Sequence, residues 1–200
     1  MANKPLTILV AGPDASATRA VEDGLAGAGG TDRIAYRITV VHGVADLPAR
    51  VAALAPDAVV VALETPGPAA LDNVFRLARS AACAVVLFAD RAPPGAAAQA
   101  AEAGVAAFVL DGLHPARVAP ILETALARFA AFETLKRERD EARTQLADRK
   151  LIERAKGILM QQKSLSEEAA YTALRKAAMK QGRRVAEIAQ SVITAAQIEL

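Results

Sequence analysis

Five short apolar runs set the strongest constraint on what this chain can become. LTILVA at 6–11, RITVV at 37–41, AVVVAL at 58–63, AVVLFA at 84–89 and AAFVL at 106–110 are apolar at successive positions rather than at alternate ones. Side chains of a strand point to two faces in turn, so a run of this kind fits only a strand covered on both sides, as in a parallel sheet between helical layers. Helical segments fall near 15–28, 45–54, 69–81, 95–103 and from 115 onward. Five strand-then-helix units predict an α/β fold, a doubly wound parallel (βα)5 sheet with any site at the carboxyl ends of its strands. The turns Ala11-Gly12-Pro13-Asp14, Glu64-Thr65-Pro66-Gly67 and Asp111-Gly112-Leu113-His114-Pro115 lie at those ends.

Over residues 5 to 125 this order resembles the CheY-like receiver domain of bacterial response regulators. The resemblance implies an acidic pair after the first strand, an acceptor aspartate ending the third, a Ser or Thr ending the fourth and a Lys ending the fifth. The chain does not supply that set. Asp14 is the only acid near the first turn, Ala62 occupies the acceptor position, Ala89 the Ser/Thr position and Asp111 the Lys position. Alanine carries no nucleophile, and the cation and ammonium that would neutralise a transferred phosphoryl group have no counterparts. Glu64 is a poor substitute because it lacks the same partners. The module reads as a pseudo-receiver, residues 1–120.

From Ile121 to Lys150 the sequence contains neither Gly nor Pro, and a long helix is expected over 121–148 as a connector. Phe129, Phe132, Leu135, Ala142 and Leu146 follow three- and four-residue steps with one extra step of three. That pattern suits a short coiled coil, and the homodimer seam it predicts competes with packing of the phenylalanines back onto the first module.

Residues 149–200 show three helical repeats. Leu151, Ile152, Ala155, Leu159 and Met160 form one apolar face, Ala170, Leu174, Ala177 and Ala178 a second, and Val185, Ile188, Ala189, Val192 and Ile193 a third. Ser164 with Glu167 fits a capping box at the start of the second helix, and Gly182 supplies its stop. A compact C-terminal three-helix bundle follows. From Arg149 onward there are ten Lys and Arg against five acids, whereas residues 1–120 hold nine against eleven, an asymmetry pointing to a polyanionic partner for the bundle.

AKGILM at 155–160, SEEAAYTALRKAAM at 166–179 and VAEIAQSVI at 185–193 resemble the ANTAR domain, the RNA-binding output module of bacterial transcription antiterminators. The connector and the GVAAFVLDGLHPARVAPIL segment are similar to the NasT subgroup, which regulates nitrate and nitrite assimilation. The resemblance implies a dimer that binds paired hairpins in a leader RNA against an overlapping terminator. It also implies control through sequestration by a nitrate-sensor protein similar to NasS. The missing acceptor suits such control better than aspartyl phosphorylation. On these grounds Lys156, Lys163, Arg175, Lys176, Lys180, Arg183 and Arg184 are the expected phosphate contacts. Tyr171 is the single aromatic of the module, placed by its spacing either in the core or against a base. Gly157, inside an otherwise regular helix, suggests close approach of another helix or of RNA backbone.

The remaining residues narrow the class. A lone cysteine, Cys83, lies in an apolar run and reads as a buried small hydrophobe. His42 and His114, the only histidines, have no metal-ligand spacing, and no phosphate-binding glycine motif occurs. The expectation is a regulator, not an enzyme, with no cofactor, metal or catalytic residues. No signal peptide or membrane-length apolar run is visible, so a cytoplasmic, membrane-free location is expected. Two other readings remain at this point: a basic bundle that contacts only protein, and a DNA-binding response regulator.

Overall fold

The structure is a computed structural model that describes residues 5–13, 15–26, 35–110 and 113–198. Its chain divides into two units, Met1–Glu133 and Thr134–Leu200. Among the described residues no helix is long and apolar enough to cross a membrane.

In the first unit, five parallel strands, β1 (Leu6–Gly12), β2 (Tyr36–His42), β3 (Ala58–Leu63), β4 (Ala84–Ala89) and β5 (Ala107–Val109), stand in the order β2-β1-β3-β4-β5. This is the CheY-like doubly wound order. Four helices alternate with them: α1 (Ala15–Ala26), α2 (Leu47–Leu54), α3 (Pro68–Ser80) and α4 (Ala96–Glu102), and α5 (Pro115–Lys163) follows β5.

The uninterrupted apolar runs divide by parity. Leu9 and Ala11, Val59 and Val61, and Val85 and Leu87 share one core with Leu71, Val74 and Leu77 of α3. Their neighbours Ile8 and Val10, Ala58, Val60 and Ala62, and Val86 and Phe88 share a second core with Val21 and Leu25 of α1 and Val118, Leu122 and Ala125 of α5. Gly24 is where α1 meets α5. A Cβ there would stand 2.4 Å from the Pro115 carbonyl oxygen and 2.9 Å from Val118 Cβ.

The module boundary expected after residue 120 does not interrupt the helix. Helix α5 is one element of 49 residues that absorbs the fifth helix, the connector and the first bundle helix. Pro120 lies inside it and lacks the N–H that would bond back to Ala116. The neighbouring Val118, Ala119, Leu122 and Ala125 are at most 4 % exposed. Burial of that stripe holds the turn despite the missing bond. The first unit therefore extends past 120.

In the second unit, the end of α5 packs with α6 (Glu167–Gln181) and α7 (Val185–Ile198) around Ala155, Leu159, Ala170, Leu174, Ala178, Ile188, Ala189 and Ile193. The cap of α6 is Ser166, whose hydroxyl accepts from Ala169 N–H, and not Ser164. Ser164 has φ +51° and closes α5, so the Ser164–Glu167 spacing is no capping box. Gly182, at φ +61°, ends α6, with Arg183 N–H donating to Ala178 O in a Schellman arrangement.

Candidate functional site

At the carboxyl ends of the strands, Ala62 is 2 % exposed and Ala89 is 1 % exposed. Ala62 pairs with Phe88 in the β3–β4 ladder, and the Phe88 side chain is buried on the same side of the sheet. A hollow of about 210 Å³ remains beside them, lined by Ser16, Ala62, Glu64, Phe88 and Asp90 among others. Among the described residues its charged groups are two carboxylates, those of Glu64 and Asp90. Glu64 is fixed through its backbone, whose carbonyl accepts from Asp90 N–H at 2.9 Å and Arg91 N–H at 3.1 Å. Asp14 and Asp111 lie outside the described residues. Among those described, no three His, Cys, Asp or Glu side chains come together as a metal site.

The α6 surface of the second unit is different. Ala170, Leu174 and Ala178 are buried at four-residue intervals and fix which way the helix turns. The next positions along the chain, Tyr171, Arg175 and Met179, then form an exposed stripe. Tyr171 is 44 % and Met179 75 % exposed, so Tyr171 is a surface aromatic and not a core one. Thr172, Lys176 and Lys180 form the stripe beyond it and are also exposed. The outer face of α6 thus joins an aromatic ring, a thioether and three cations on one rigid element. Lys163, at the end of α5, is exposed as well.

Lys156 departs from the expected role. It is 7 % exposed. Its Nζ donates to Glu153 Oε1 at 3.0 Å and to Glu167 Oε1 at 2.6 Å. These two carboxylates raise the lysine pKa, Glu167 foremost through its hydrogen bond, and Lys156 in turn lowers that of Glu167. The ammonium ties α5 to the first turn of α6. Arg183 and Arg184 are intermediate cases. Arg183 Nε stands 3.2 Å from Glu187 Oε2, while Arg184 pairs with Asp148 of α5. Both arginines keep more than a third of their side-chain surface in water, where such pairs are weak and exchangeable.

Met179 was not singled out by the sequence reading, although the spacing Tyr171, Arg175, Met179 was there to be read. Lys150 and Arg154 on α5 are also exposed cations that the reading passed over. Gly157 meets nothing: a Cβ there would point into open space, so no described helix requires the glycine.

Of the expected seam, Phe129 is half-buried against the first unit's core beside Leu126 and Ile121. Part of its ring is thus packed onto the first unit, as in the competing expectation. Phe132, Leu135 and Leu146 are 62 %, 65 % and 57 % exposed, and Ala142 is exposed too.

Comparison with known proteins agrees with this division. Residues 140–193 match the family model described as the ANTAR domain. The transcriptional regulatory protein PdtaR of Mycobacterium tuberculosis is 25 % identical over 138 residues, 69 % of this chain and 67 % of that protein. A nitrate regulatory protein of Klebsiella oxytoca is 49 % identical over 49 residues, which are 24 % of this chain and only 12 % of that protein. Among solved structures, a CheY-like response regulator receiver domain protein of Methanospirillum hungatei superposes with a TM-score of 0.53. It covers 64 % of this chain and 98 % of its own at 11 % identity, a likeness of fold alone. The likeness is thus twofold: residues 140–193 match the ANTAR domain, and the first unit has the CheY-like receiver fold.

Proposed function

We propose that this regulator acts as a transcription antiterminator that binds paired hairpins in a leader RNA through the outer face of α6. The observation that carries the reading is the stripe Tyr171, Arg175, Met179 flanked by Lys176 and Lys180, exposed on a bundle matching the ANTAR domain. Hairpin loops present unstacked bases and closely spaced phosphates, and this face offers a ring to stack on and donors to bridge them. Lys163, Arg183 and Arg184 extend the phosphate contacts, the arginines by leaving their surface carboxylates. Lys156 serves the interface by holding α6 in place. Gly157 leaves room for RNA backbone along α5.

The receiver-like module has a regulatory and not an enzymatic role. The alanines at 62 and 89 and the paired carboxylates of the neighbouring hollow favour control by a bound protein over control by aspartyl phosphorylation. The likeness to a nitrate regulatory protein supports a role in nitrate or nitrite assimilation, with a NasS-like sensor as the sequestering partner. Exposed Phe132, Leu135 and Leu146 support a homodimer when the protein is active.

Gel-shift titration with leader RNA carrying tandem hairpins, beside duplex DNA of the same sequence, tests the reading. RNA should bind more tightly and lose affinity with added salt. Equal or tighter binding to DNA would favour a DNA-binding regulator. Absence of binding to either would favour a bundle that contacts only protein.

A further inference from the structure

A cavity of the first unit lies at the opposite pole from the degenerate phosphorylation site. It is a groove of about 1080 Å³ at the amino ends of β1, β3 and β4. Leu6, Leu77, Leu126 and Phe129 are among its apolar lining, and Val51 and Ala52 of α2 form part of one wall. The volume is at the upper end of what a small-molecule site encloses. The lining is wholly apolar apart from Asp57, Glu123, Ser80 and the thiol of Cys83, and it contains no lysine, arginine or histidine.

The electrostatics of the groove have one sign. Asp57 and Glu123 are both exposed. Asp57 Oδ2 accepts from Thr7 N–H at 2.7 Å, which fixes the carboxylate at the mouth. Glu123 Oε1 accepts from the Tyr36 hydroxyl at 3.4 Å. Helices α2 and α3 both end at this pole, at Leu54 and Ser80, and so direct the negative ends of their dipoles toward it. Burial, helped by the Asp57 charge, pushes the Cys83 thiol up to about 11. An apolar floor beneath two uncompensated carboxylates is complementary to a ligand that is apolar on one side and cationic on the other.

We infer that this groove is a docking site for a partner protein, which inserts a short amphipathic segment whose apolar face covers Leu77, Leu126 and Phe129 while its Lys or Arg side chains meet Asp57 and Glu123. The site is distinct from the α6 face, and the inference does not depend on RNA being the ligand there.

The experiment uses the full chain and a fluorescent helical peptide with leucines on one face and lysines on the other. Controls are the same peptide with glutamates for the lysines, and dodecylamine as a small cationic amphiphile. Anisotropy should show binding of the lysine peptide alone. Asp57→Asn and Glu123→Gln keep the hydrogen-bond acceptors, and each should weaken binding about two- to fivefold. Ala127→Arg, an exposed helix position on the rim, should abolish it. All three variants should bind RNA like the parent protein. Equal affinity for the glutamate peptide or indifference to the carboxylate variants would overturn the inference. So would a rise in melting temperature with dodecylamine without peptide binding, which would mark a small-molecule site, or a sedimentation dimer lost in Ala127→Arg, which would mark a contact between copies.

Discussion

Substitution of Tyr171, Arg175 and Lys156 separates residues that touch a ligand from one that holds the bundle together. Arg175 is exposed and stands in no ion pair among the described residues. Its replacement by alanine should leave melting within about 0.5 kcal/mol of the parent, as for most surface positions. It should also lower the slope of log K against log salt by about 0.7, the share of one phosphate contact on single-stranded nucleic acid. Tyr171→Ala removes a stacking platform, worth about 1–3 kcal/mol per base, and should weaken RNA binding by roughly 5- to 150-fold with the salt slope unchanged. Lys156→Ala should behave otherwise. It leaves Glu153 and Glu167 facing each other without the ammonium that now lies within 3.0 Å of each. The melting temperature of the C-terminal unit should fall, and RNA affinity should fall with it while the salt slope stays near that of the parent at temperatures where the bundle is folded. The assay is RNA binding at four salt concentrations beside thermal melts by circular dichroism. A Lys156→Ala protein that melts like the parent yet loses a full phosphate contact from its slope would refute this assignment. An Arg175→Ala protein with an unchanged slope would refute the other.

Three further outcomes follow from the same contacts. Gly24→Ala places a methyl group 2.4 Å from the Pro115 carbonyl and should cost about 1–3 kcal/mol, lowering the melting temperature of the receiver-like unit by several degrees; an unchanged melt would show that α1 and α5 can part at no cost. The folded-state pKa of Glu167 is depressed, so its contribution is fully present above the ordinary glutamate pKa and is lost as pH falls through the folded value. That of Lys156 is raised, so its contribution is full below the ordinary lysine pKa and is lost as pH rises through the folded value. Stability of the C-terminal unit should therefore be flat across neutral pH and fall on both flanks, and Lys156→Ala should blunt the acid flank. Incubation with acetyl phosphate should leave the intact mass unchanged; a stable phosphoryl adduct would overturn the pseudo-receiver reading.

The sheet was legible because its strands are apolar on both faces, a pattern that leaves few alternatives to a covered parallel sheet. Its helices were legible from their spacing, and the α6 stop from Gly182. The continuity of α5 was not, because Pro120 is a strong local breaker and only burial of Val118, Leu122 and Ala125 overrides it. The N-cap of α6 was missed by two residues: both Ser164 and Ser166 precede acids, and the choice depends on where α5 ends. The partners of Lys156 were hidden for a related reason. Glu153, three residues earlier, was a visible partner, but Glu167 is eleven residues away and reaches Lys156 only after the chain turns between α5 and α6. Charge counts cannot tell a neutralised cation from an available one. The same limit made Tyr171 ambiguous, since its place beside Ala170 puts it one helical step from the core, and only the observed rotation of α6 resolves which side it faces.

In vitro transcription through a leader template with tandem hairpins and an intrinsic terminator tests the central claim most directly. Added protein should raise the full-length fraction without any phosphodonor, and Tyr171→Ala combined with Arg175→Ala should abolish the rise while the protein stays folded. Read-through that survives the double substitution would contradict the assignment of the α6 face, and a protein that leaves termination unchanged on a template it binds would contradict antitermination itself.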